Sequence, residues 1–168
     1  MSTITFRMPF GVPGDVSRPS QATIEAQAFG ATAFPSYGIA AVMTSGKVVP
    51  VSSTGQTLYG VLVRPFPITG ANASDPLGTS VPPTVGVANI LKRGYFSVFV
   101  QLGYASAAAG VGVWVRYQGA SGSQVLGGFE AATSGNNYSL TPALMLGGAA
   151  YFTGPVDANQ IAEMAYNL

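Results

Sequence analysis

Lys92 and Arg93 form the one adjacent pair of charges in a chain with seven basic and six acidic side chains. An aromatic run, "GYFSVFV" at 94–100, follows at once. Such a pair could serve a catalytic site, grip a nucleic-acid backbone or dock on a protein carboxylate. Catalysis finds little support in the remaining residues. The chain has no histidine and no cysteine. A Ser-His-Asp triad and a thiolate metal site are therefore both excluded. Asp15, Glu25, Asp75, Glu130, Asp157 and Glu163 could in principle supply a glycosidase-type pair. None stands in a recognisable setting, and the plainer reading makes them partners for arginines or solvated charges.

Two stretches imitate nucleotide-binding motifs. In "AVMTSGKV" at 41–48, Ala41 replaces the leading glycine of a P-loop, and Val48 stands where Ser or Thr would hold magnesium. The stretch also lies between two predicted strands, so it reads as a hairpin turn. "GVGVWV" at 110–115 lacks the third glycine and the following helix of a dinucleotide fingerprint. Thr44 and Asn89 stand three residues before the two lysines, so no Ser-x-x-Lys motif forms. The chain is expected to be non-enzymatic, without metal or cofactor. Nucleic acid would require a basic stripe, and the cations are scattered from Arg7 to Arg116. No nucleic-acid partner is expected.

The totals point to packing rather than chemistry. The 168 residues favour one domain with a self-sufficient core. Charged residues are 8% of the chain, against about 25% in an average soluble protein. Hydrophobic residues are 48% and the net charge is +1, so colloidal repulsion is weak. Such a chain expects to be covered by neighbours. The longest weakly polar run, "PALMLGGAAYF" at 142–152, is too short and glycine-rich to cross a bilayer. "MSTITFRMPF" has no secretion-signal pattern, so synthesis in a cytoplasm and no membrane partner are expected.

The elements that must position the charges read as β throughout. Residues 1–36 read as an extended N-terminal arm, because "PFGVPGDVSRPSQ" interleaves proline with glycine. The arm carries Arg7, Asp15, Arg18 and Glu25, and "ATIEAQA" within it could pair with a partner. Its first 20 or so residues are expected to be mobile alone and ordered on that partner. Residues 37–168 read as one β-sandwich or jelly-roll-like domain. "YGIAAVM" and "KVVPVS" flank a hairpin turn with Gly46 at the positive-φ position. "TLYGVLVR" follows, then a long Gly/Pro/Asn/Ser loop at 68–84. In "GYFSVFVQL", Phe96, Val98, Val100 and Leu102 share the core face. Lys92 and Arg93 would then stand at the mouth of that strand. "VGVWVRY" is another strand, while "QVLGGFEA" and "YSLTPALML" are weaker candidates. "NQIAEMAYNL" alternates, yet a short helix there also fits. Trp114 suits either core or interface. For Lys92 and Arg93 two uses remain: a solvated strand entrance that blocks edge-to-edge aggregation, or anchors for carboxylates on a partner.

Four segments in order, "GDVSR" (14–18) leading into "QATIEAQ" (21–27), "YGVLVRPFP" (59–67), "LKRGYFSV" (91–98) and "GPVDANQIAEMAYN" (154–167), resemble the structural cement, or capsid decoration, proteins of tailed bacteriophages. The resemblance implies a β-rich virion protein on the capsid exterior. It implies two partners, the major capsid protein and the chain itself as homodimer or homotrimer. Candidate contacts are then Arg7, Asp15, Arg18, Glu25, Lys92 and Arg93. Two other classes are kept open. One is a different virion module, such as a head fibre, tail or baseplate part. The other is a carbohydrate-binding β-sandwich using Tyr95, Phe99 and Trp114 as a platform.

Overall fold

A computed structural model describes residues 11–65, 81–140 and 150–168. Arg7, Asp75, most of the 68–84 loop and residues 141–149 lie outside the described residues. The described chain is an all-β sandwich, as the short alternating runs predict. Its strands are β1 (Thr23–Ala28), β2 (Ile39–Thr44), β3 (Lys47–Pro50), β4 (Leu58–Val63), β5 (Val87–Phe99), β6 (Trp114–Arg116), β7 (Phe129–Glu130), β8 (Asn137–Ser139), β9 (Ala150–Phe152) and β10 (Ile161–Tyr166). The larger sheet runs β3-β2-β4-β5-β10-β9, with β1 added on β5, and the smaller runs β7-β6-β8. The β2–β3 turn places Ser45 at φ 50° and Gly46 at φ 75°, the paired positive angles of a type I′ hairpin.

β5 organises the larger sheet. Over residues 87–93 it pairs with β1, and over 89–91 also with β4 on its other edge; over 94–99 it pairs with β10. Residues 14–17 take the remaining edge there. Gly14 N donates to Ser97 O at 2.8 Å, Ser97 N to Asp15 O at 2.9 Å and Ser17 N to Tyr95 O at 3.0 Å. From Gly14 onward, the segment read as an arm is therefore stitched to the sheet of its own chain. Its proline- and glycine-rich composition hid this, because edge pairing along 14–17 needs only a few donors.

Gly94 separates the two halves of β5. Its φ is +137°, and a Cβ there would stand 3.0 Å from Ala22 Cα. The inward-facing phase changes across it. Before Gly94, Leu91 enters the core shared by the two sheets, while Ala88 and Ile90 enter a second core with Phe29, Phe34 and Tyr37. After it, Phe96 and Val98 enter the first core. Lys92 and Arg93 consequently lie inside a 13-residue strand, not at its mouth.

The two sheets meet where Phe96 packs edge-on against Phe129, ring centroids 5.9 Å apart. Val113, Val115, Phe129 and Leu140 come from the region of the smaller sheet, and Phe152, Met164 and Tyr166 from the larger. Val113 and Val115 are buried, Trp114 is only half-buried, and Arg116 is buried as well. The closing segment is strand β10 rather than a helix. Ala162, Met164 and Tyr166 point into the core with period two, and pairing with β5 overrides local helix propensity.

Replacing Gly94 by alanine should cost about 1–3 kcal/mol, because a side chain is strained at that φ and meets Ala22. Denaturant unfolding checks this: the midpoint should fall with the slope unchanged.

Candidate docking surface

Most charged groups of the described chain are directed at one another. Arg18 reaches across the arm to β10, with Nη2 2.8 Å from Glu163 Oε2 and Nε 3.2 Å from Oε1. Ser17 Oγ donates to Glu163 Oε1 at 2.6 Å, and Thr153 Oγ1 donates to Oε2 at 2.7 Å. The Arg18 guanidinium also lies 3.8 Å from the Tyr95 ring centroid. Burial pushes the Glu163 carboxyl up, but the three donors and the charge of Arg18 outweigh it and hold its pKa below the ordinary value. This latch ties the N-terminal segment to the last strand.

A second tie sits at Asp15. Arg64 Nε stands 3.7 Å from Asp15 Oδ1 and donates to Pro13 O at 2.9 Å, while its guanidinium lies 4.8 Å from the Tyr37 ring centroid. A third crosses β1, β4 and β5. Tyr59 Oη donates to Glu25 Oε2 at 2.6 Å and accepts from Gln27 Nε2 at 2.8 Å. Lys92 Nζ donates to Tyr59 O and lies 3.4 Å from the Tyr59 ring centroid.

The fourth tie is interior. Arg116 Nε donates to Glu130 Oε1 at 2.7 Å, with side-chain exposures of 2% and 0%. Arg116 Nη1 also donates to Gln118 O and Gly119 O, and Asn137 Nδ2 donates to Glu130 Oε2. The pair joins adjacent strands β6 and β7, and Asn137 on β8 completes the network across the smaller sheet.

The sequence-derived contact candidates thus separate. Asp15, Arg18, Glu25 and Lys92 have partners within the chain. Arg7 lies outside the described residues. Arg93 is exposed and lines an open groove with Ser20, Gln21, Thr23, Tyr95 and Leu168. Lys92 and Arg93, adjacent in sequence, point to different surroundings. Sequence reading missed Tyr59 and Arg64, neither of which carries a motif. It placed Glu130 and Glu163 correctly only in the general sense that acids find arginines. The rings proposed as a sugar platform occupy separate settings. Tyr95 is covered by Arg18, Phe99 lines a cleft with Pro13 and Tyr37, and Trp114 pairs with Glu130 and Ser139 in the smaller sheet.

Among the described residues no cluster of three or more acidic side chains could hold a metal ion. No helix among the described residues is long and apolar enough to cross a membrane. The molecule is an all-β sandwich whose charges chiefly fasten its own segments together. It belongs to a known virion family: a family profile described as XM1 gp53 minor capsid protein matches residues 1–166, and the chain is a member of that family. It is accordingly a phage virion protein associated with the capsid, in agreement with the resemblance drawn from its sequence segments. Its fold is similar to a chain in a solved structure described as "The capsid of Myoviridae Phage XM1". That chain is 17% identical, the match covers 98% of this chain and 96% of the other, and the TM-score is 0.64. A search of the curated proteins matches none.

Glu163→Gln should release the N-terminal segment, read as faster proteolysis near residues 11–18 with the core strands still protected. The latch should also weaken in acid. Because the folded pKa of Glu163 lies below the ordinary 4.5, its contribution is present above about that pH and is lost as pH falls through the folded value. Proteolysis rates compared between neutral pH and pH ~3 test the direction. Glu130→Ala should cost about 3–5 kcal/mol, since it strands a buried guanidinium. The Arg116→Met/Glu130→Leu double variant should recover most of that loss in thermal unfolding.

Proposed function

We propose that the chain decorates the outer surface of a phage head, where it bridges neighbouring major capsid subunits and stabilises the shell. It acts by contact and carries out no reaction. The observation that carries this reading is the family match across residues 1–166. The distribution of charge supports it. A cement protein needs a rigid body and a surface that tolerates desolvation. Here the ion pairs of Arg18, Arg64 and Arg116 are closed within the chain. Several apolar side chains stand in solvent instead, including Ile24, Val85 and Val87 at 45%, 77% and 67% exposure. Val87 pairs with the exposed Ala28, so this border runs along the β1–β5 edge.

Association with itself, as a homodimer or homotrimer, belongs to the same reading. A chain of net charge +1 with exposed valines has little to hold copies apart. Light scattering at micromolar concentration should show the oligomer, and a clean monomer would count against it.

The decisive experiment adds purified chain to heads that lack it and images the particles by cryo-EM. Repeated density on the outer surface at junctions between major capsid subunits is expected, together with a higher temperature of head disruption. Density confined to a single vertex, to the tail or to the interior would replace the cement reading with another virion role.

A further inference from the structure

We infer that the groove around Arg93 is the electrostatic anchor of the capsid contact, and that it receives an aspartate or glutamate side chain of a major capsid subunit. This inference rests on the decoration reading above and names the site through which it would act.

The balance of charge singles out the residue. Arg18, Arg64 and Arg116 each have a carboxylate within the chain, and Lys92 covers the Tyr59 ring. Arg93 and Lys47 have neither an ion pair nor a ring contact among the described residues. Lys47 opens β3 beside the β2–β3 turn, a point charge at a hairpin end. Arg93 sits within β5, opposite Thr23 of β1.

The groove is built rather than incidental. Its volume is about 400 Å³. The 3-10 turn Pro19–Gln21 leads into Ala22, which packs closely on Gly94, the residue beside Arg93; a Cβ there would stand 3.0 Å from Ala22 Cα. The latch from Arg18 to Glu163 holds the segment before that turn. Asn167 Nδ2 donates to Lys92 O at 3.1 Å and fixes the segment that leads to Leu168. The guanidinium therefore rises from a rigid strand between two fastened segments. Ser20, Gln21 and Thr23 line the same groove and bring polar groups beside it.

Chemistry selects the occupant. A planar guanidinium presents a fork that matches one carboxylate with two hydrogen bonds. A nucleic-acid backbone would want several cations, and Arg18, the residue just before the Pro19–Gln21 turn, is already paired with Glu163. A single carboxylate on a protein surface fits Arg93, the one cationic side chain among the described residues that line the groove. Closing the capsid over the groove removes water, and that strengthens the pair.

The test compares four proteins on heads lacking the chain, with occupancy read against salt concentration: the unaltered protein, Arg93→Ser, Arg93→Lys and Lys47→Ser. Arg93→Ser should bind about 30-fold more weakly or worse, as truncating one member of a desolvated charge pair does. Arg93→Lys should recover part of that loss, because charge survives while the fork is lost. Lys47→Ser removes the same charge elsewhere and should stay within about threefold of the unaltered protein. Equal losses for Arg93→Ser and Lys47→Ser would reduce the effect to net charge and overturn the anchor. Normal binding by Arg93→Ser at every salt concentration would overturn it too, while leaving decoration itself standing. If the unaltered protein does not bind heads, the decoration reading falls and takes the anchor with it. Thermal unfolding of each variant confirms that exposed positions were changed without loss of the fold.

Discussion

Backbone hydrogen bonding along both edges of β5 is the interaction on which the other elements depend. Residues 14–17 and β10 flank its second half, and β1 and β4 flank its first. One strand thus connects the N-terminal segment, the hairpin strands and the closing strand. A 13-residue strand serving two cores must change the face it presents, and Gly94 performs that change. The same glycine lets Ala22 come close, so it also shapes the groove beside Arg93.

The sparse charges become intelligible in that frame. Three ion pairs tie together residues separated widely in sequence or in neighbouring strands: Arg18 with Glu163, Arg64 with Asp15, and Arg116 with Glu130. Their energetic weight differs. The exposed side of the Arg18 pair is softened by solvent, whereas the Arg116 pair is dry and its worth depends on both members being present. A chain with 8% charged residues uses most of them to define which segment lies beside which.

Much of the β-sandwich was legible in the sequence, because alternation is a local signal. The Ser45–Gly46 hairpin and the core face of Phe96 and Val98 could be read from a few residues. β5 could not be read whole. Its two halves are out of phase at Gly94, and a period-two scan stops where the phase changes. The N-terminal pairing was hidden for another reason: β1 has mostly exposed side chains and residues 14–17 hold one large apolar residue, Val16, so neither carries a hydrophobic period. Candidate site residues were harder still. Adjacency suggested that Lys92 and Arg93 act together, yet neighbours on a strand face opposite ways. Tyr59, which separates their roles by engaging Lys92, lies 33 positions away in the chain.

The direction of those edge pairings bears on how the molecule carries load. Residues 14–17 and β10 both run antiparallel to β5 and contact the same residue, Phe96, from its two sides. They are therefore parallel to each other, and the chain enters the first beside Ser97 and leaves the second beside Gly94. Tension applied through the two ends of the chain acts along β5, across hydrogen bonds that lie perpendicular to it. The bonds are loaded together in shear, instead of opening one after another like a zip. On the N-terminal side three such bonds, at Gly14, Asp15 and Ser17, must then fail together, and resistance to forced unfolding is set by the barrier to opening rather than by equilibrium stability.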